Sequence, residues 1–131
     1  MALFTLADLH LSLSGEKPMD VFGGSWVNFE ERLKEYWHYM VREDDTVVVP
    51  GDISWAMSLE DAKEDLDFIH RLPGKKILLK GNHDYWWASQ TKMIAFLEEN
   101  GLHSISILQN SAVEAEGMIL CGSRGWMCED K

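Results

Sequence analysis

Residues 75–84, Lys-Lys-Ile-Leu-Leu-Lys-Gly-Asn-His-Asp, restrict the folds open to this chain more than any other stretch. An apolar run of strand type ends at Gly81, where the missing side chain lets the backbone bend sharply. Polar residues follow at once. Two other runs end in the same way. Thr46-Val47-Val48-Val49 is β-branched and stops at Pro50-Gly51, with Asp52 next. Ala2 to Leu6 is apolar and leads to Asp8-Leu9-His10. Helical patterns lie between these runs. Strands alternating with helices predict an α/β fold with a mostly parallel sheet and helical crossovers. Open sheets of this kind bind ligands beyond the carboxyl ends of their strands.

The intervening segments read as follows. Residues 12–27 carry four glycines and prolines and few periodic apolar residues, and they predict a long loop leaving the ligand edge. Phe29, Leu33, Tyr36, Trp37, Met40 and Val41 form one stripe of an amphipathic helix. Asn28 and Glu31 resemble a capping box in front of it. A second helix is expected from Ser58, its N-cap, to the stop at Pro73-Gly74, burying Leu59, Ala62, Leu66 and Ile69. The acids of that helix, Glu60, Asp61, Glu64, Asp65 and Asp67, have the spacing of a helix face and lack the glycine of a calcium loop. Gln90 to Asn100 predicts a third helix capped by Gly101. Ile105 to Leu108 and Met118 to Gly122 predict two further strands. No repeat or domain boundary interrupts residues 1–131, which read as a single domain.

Charge and cysteine content narrow the function. The net charge of −10 argues against loose binding to nucleic acid, which needs a face rich in lysine and arginine. An anionic substrate would then need bound cations to offset the acids locally. No apolar run reaches the roughly 18 residues of a membrane span, and Met1 to Ala7 lacks the basic lead of a signal peptide. Cys121 and Cys128 suit a reduced, cytoplasmic protein.

Three motifs fall at the carboxyl ends of predicted strands: Asp8-x-His10, Gly51-Asp52 and Gly81-Asn82-His83-Asp84. They supply carboxylate, amide and imidazole donors, the types that divalent first-row metals take. On extended backbone Asp8 and His10 would share a face, being two residues apart. The three motifs therefore predict most of a two-metal site for phosphoester hydrolysis, in which cations roughly 3.5–4 Å apart activate water and clamp phosphoryl oxygens. His38, His70 and His103 have no such neighbours.

On these motifs and the strand order the chain resembles the calcineurin-like metallophosphoesterases. Gly51-Asp52 with Trp55 three residues on looks most like a group of bacterial phosphohydrolases within them. The resemblance implies the first half of an αββα sandwich and a hydroxide shared by two divalent ions, manganese, iron or zinc. It implies that Asp8 and His10 bind the first metal, that Asp52 bridges both, and that Asn82 binds the second. His83 would face the leaving-group oxygen as a proton donor, and Asp84 would either orient that imidazole or cap the segment after it. Trp55, with Trp86, Trp87 and Trp126, would either stack on a planar substrate or pack beneath the site, and Arg124 would contact phosphate or pair with surface acids. The family also carries a Gly-His and a Gly-His-x-His in its second half, and neither occurs here. The chain then reads as the amino-terminal portion of an enzyme acting on a small phosphomonoester or phosphodiester, weak or inactive by itself. The alternative is a non-catalytic binding scaffold of the same fold. An uncovered sheet face would favour self-association.

Overall fold

Four short apolar runs become a parallel sheet in chain order. Strands β1 (Leu3–Thr5), β2 (Thr46–Pro50), β3 (Lys75–Leu79) and β4 (Ile105–Ile107) lie side by side, each parallel to its neighbour. The computed structural model describes residues 1–13 and 19–123, so Arg124, Trp126 and Cys128 lie outside the described residues. The crossovers hold α1 (Phe29–Met40), α2 (Lys63–Arg71) and α3 (Gln90–Glu99). Parallel crossovers are right-handed, and in a sheet ordered as its sequence this puts every crossover helix on one face. Burial agrees. Phe4, Val47 and Ile105 share a row of the sheet, and Val49, Leu78 and Ile107 share another. Both rows join one apolar cluster with Trp37, Leu66, Ile69, Met93 and Leu97 from the helices.

Lys76 stands in the first of those rows and is fully buried. Its Nζ donates to the carbonyl oxygens of His70, Leu72 and Gly74, at the end of α2. The last carbonyls of a helix have no partner within it, and a cation there meets the negative end of the dipole. Burial pushes the Lys76 pKa down to about 8, which leaves it mostly protonated at neutral pH.

The opposite face of the sheet carries Thr5, Val48, Ile77 and Ser106. Part of it is covered by an antiparallel hairpin, β5 (Ser111–Ala115) and β6 (Met118–Gly122). The sequence pattern predicts only the second of these strands. The turn between them is Glu116-Gly117, with φ of 51° and 75°. That is the left-handed pair that tight hairpins prefer, and glutamate in place of the usual asparagine or aspartate hides it. Glu116 accepts a hydrogen bond from Thr46 Oγ1 at 3.1 Å. A methyl group at Gly122 would run into Leu79 and Leu108, so the hairpin closes tightly on the sheet there. Ile77 is buried beneath it. A cavity of about 540 Å³ remains, lined in part by Thr46, Lys75, Ile77 and Val113. The face expected to be open is thus partly covered, while Met118 and Ile119 of the hairpin stay exposed.

Three local expectations are corrected. The capping box before α1 does not form: Asn28 has φ 52° and makes no side-chain cap bond. A capping side chain normally works from extended backbone. The buried stripe of α1 is narrower than its pattern, because Tyr36 and Met40 are exposed and only Trp37 and Val41 are fully covered. Ser58 caps a turn ahead of α2, accepting from Asp61 N–H on Oγ and from Ala62 N–H on its carbonyl. Helix α3 ends as expected, with Gly101 at φ 66° and bonds from Gly101 to Glu98 and from Leu102 to Leu97.

Two predictions follow from these contacts. Lys76→Met leaves three carbonyls at the end of α2 without their donor and should cost about 1–3 kcal/mol in urea unfolding. Asp45 accepts from the backbone N–H groups of Arg42 and Ala2, and these bonds hold its pKa below 3.8. Its contribution is therefore present above about pH 4 and lost as pH falls through the folded-state pKa. Asp45→Asn should flatten the acid limb of the stability profile, measured as the urea midpoint between pH 3 and 7.

Candidate metal centre

Beyond their ends, β1 and β2 continue as a second, irregular pairing. Asp8 N–H donates to Gly51 O, His10 N–H to Asp52 O, Leu11 N–H to Ile53 O, and Trp55 N–H to Leu11 O. This pairing brings Asp8, His10 and Asp52 together. Each offers one ligand atom, and all three atoms lie within 4.8 Å of one another. His10 Nε2 is 3.9 Å from Asp8 Oδ1 and 3.8 Å from Asp52 Oδ2.

The extended backbone expected for Asp8-x-His10 is not what unites them. Asp8, His10 and Asp52 all have left-handed backbones, with φ of 60°, 45° and 50°. They are three of the six such non-glycine residues among the described residues. The left-handed region costs an L-residue about 1–2 kcal/mol. Strain of this kind persists where the surroundings over-determine it, and it clusters at functional sites.

Asp52 is nearly buried and is shared by two histidines. Its Oδ1 accepts from the backbone N–H of His83 at 3.0 Å, and its Oδ2 lies 2.9 Å from His83 Nδ1. Burial raises the Asp52 pKa, but the hydrogen bonds from His83 and the charges of His83 and His10 outweigh it, leaving the pKa below 3.8. The group is a carboxylate at neutral pH. With Nδ1 committed to Asp52, the free nitrogen of the His83 ring is Nε2.

Asp84 makes no bond to that ring. Its Oδ1 accepts from the N–H groups of Ile53 and Ser54 and from Trp86 Nε1, at 2.8, 3.2 and 3.0 Å. Its Oδ2 accepts from Gly81 N–H at 2.6 Å. Burial raises its pKa and the four donors oppose the rise. The carboxylate that steadies the imidazole is Asp52, while Asp84 fastens the loop after β2 to the turn after β3. The two turns touch closely. A methyl group at Gly81 would collide with the Asp52 amide and Oδ1, and one at Gly51 would lie 2.7 Å from Gly81 Cα.

The aromatic residues divide. Trp55 forms a wall, its ring centroid 5.1 Å from His10 and 5.2 Å from His83. Trp26 meets the edge of His10 at 6.2 Å, and the exposed Tyr85 meets His83 at 6.3 Å. Trp86 and Trp87 are buried in the core cluster. Asn82 is exposed and directly follows Gly81, on the turn that touches Asp52. Arg124 lies outside the described residues. His38 and His103 bond to nearby backbone carbonyls, and His70 bonds to Ser104.

The donor set suits a divalent ion. Adjacent ligands at 2.0–2.2 Å from one cation lie roughly 3–3.6 Å apart, so the three donors, within 4.8 Å of one another, must draw together by up to about an ångström to close on one ion. Two carboxylates and one imidazole are donor types that divalent first-row ions take. It is the one group of at least three histidine, cysteine or acidic donors this close among the described residues.

A sequence comparison places the chain in a family. The family model for calcineurin-like phosphoesterases matches residues 1–125. The chain belongs to that family. Among solved structures, the chain is similar to a protein of unknown function from Aquifex aeolicus, at 22% identity and a TM-score of 0.53. The match covers 91% of this chain and 58% of that one, and at this identity it speaks for the fold alone. No curated protein matches the sequence.

Asp84→Ala would strand four donors in a buried space. It should destabilise the chain by about 3 kcal/mol or more in urea unfolding. It should also release the amides of Ile53 and Gly81 to rapid hydrogen exchange.

Proposed function

We propose that this chain is a metal-dependent phosphohydrolase unit acting on a small phosphomonoester or phosphodiester. The observation that carries the reading is the convergence of Asp8, His10 and Asp52 on strained backbone at the carboxyl edge of the sheet. Asp8, His10 and Asp52 would hold one cation, and Asp52 with Asn82 would hold a second. Bound divalent ions would activate water and offset the charge of the transferred phosphoryl group. The Asp52 carboxylate also fixes the His83 ring through Nδ1, which presents Nε2 outward as the donor to a leaving-group oxygen. Trp55 packs both histidine rings and limits their rotation.

The second metal position has only Asp52 and Asn82 among these residues, since the two histidine motifs of the family's second half are absent from the 131 residues. The acidic sequence supports a small substrate over a nucleic acid.

Calorimetric titration with MnCl₂ tests the reading. About one ion per chain should bind, with a weaker second event, and Asp52→Asn should abolish both. Hydrolysis of p-nitrophenyl phosphate by this chain should be slight. A wild-type chain that takes up no Mn²⁺ overturns the proposal.

A further inference from the structure

The sequence pattern groups Asp65 with the acids of a helix face, and the structure buries it at 1% exposure. It lies in the first turn of α2, on the same stripe as Ala62, Leu66 and Ile69. Its two bonds leave the helix. Oδ1 accepts from Leu13 N–H at 2.9 Å, and Oδ2 accepts from Ser54 Oγ at 2.5 Å. Ser54, itself buried, also accepts from Ala56 N–H through Oγ. Leu13 follows Asp8 and His10 on one loop, and Ser54 follows Asp52 on the other.

We propose that Asp65 is a positioning residue for the metal centre, tying together the two loops that carry Asp8, His10 and Asp52. The inference rests on the metal reading above. Its first support is the cost of the residue where it stands. A buried carboxylate without a cation is expensive, and an apolar side chain of similar size is often the more stabilising choice. The neighbours on the stripe are apolar, so helix packing does not call for an acid at this position. Burial raises its pKa, opposed by the bonds from Ser54 and Leu13.

The second support is the strain. Three left-handed residues lie on these two loops, and the backbone bonds between the loops do not reach α2. Asp84 holds the 53–54 segment from the side of β3. Asp65 holds it from the helix side and holds the first loop as well. Side chains that orient metal ligands at one remove commonly change affinity 10–100-fold when lost.

The test compares Asp65→Leu, Asp65→Asn, Ser54→Ala and Ile69→Ala with the wild-type chain. Mn²⁺ affinity is measured by calorimetry, and amide exchange is measured without metal. Asp65→Leu should weaken Mn²⁺ binding 10–100-fold and should speed exchange at His10, Leu11 and Trp55 while leaving β3 protected. Asp65→Asn can still accept from Leu13 and bond to Ser54, so it should restore affinity to within about 3-fold of wild type, far short of a positioning loss. Ile69→Ala loses stability through a core cavity and should leave Mn²⁺ affinity unchanged. If Asp65→Leu does not fold, Ser54→Ala removes one of the two bonds and should still weaken Mn²⁺ binding and loosen the same three amides. Wild-type affinity and protection in Asp65→Leu or, failing that variant, in Ser54→Ala overturn the assignment and leave the metal reading standing. A wild-type chain that binds no Mn²⁺ overturns both.

Discussion

A carboxylate sealed from water must draw its hydrogen bonds from the protein, and Asp84 draws all of its own from the junction of two strand ends. One oxygen takes the amides of Ile53 and Ser54 and the indole of Trp86, and the other takes the amide of Gly81. The loop after β2 and the turn after β3 therefore share one acceptor. Glycine at 51 and 81 permits the contact, because a side chain at either place would strike the other strand's backbone. Everything the site does depends on that closeness. It puts the backbone amide and ring of His83 on the Asp52 carboxylate.

The site is strained on its open side and braced on its buried side. Its three converging donors stand on left-handed backbone, a conformation with no merit in an isolated peptide. Buried carboxylates and a wall of indole supply the restraint. Trp55 touches both histidine rings, so His10 and His83 share one apolar neighbour although they come from different loops. A preformed geometry of this type lowers the reorganisation needed when a charged ligand arrives.

The sheet and the motif positions were legible because they depend on local signals. Apolar runs interrupted by glycine announce strand ends, and helical spacing between them announces crossovers. The features that escaped depend on tertiary partners. Tyr36 and Met40 follow the apolar period of α1 yet stay exposed, because the sheet covers only a narrow strip of that helix. Asp65 sits three residues after Ala62 and four before Ile69, so its place on the stripe was visible in the spacing. Its burial was not, since the partners that make it tolerable, Leu13 and Ser54, are remote in sequence. The role of Asp84 was open for the same reason. Its neighbour His83 suggested a pair, but two of its four donors come from residues about thirty positions earlier.

The strand order carries a kinetic meaning. Leu3 pairs with Thr46, Thr46 with Lys75, and Lys76 with Ile105, so each strand joins the edge left by the one before it. No strand waits for a later one to slip between existing neighbours. A chain emerging from a ribosome can therefore add one crossover at a time to a sheet already begun.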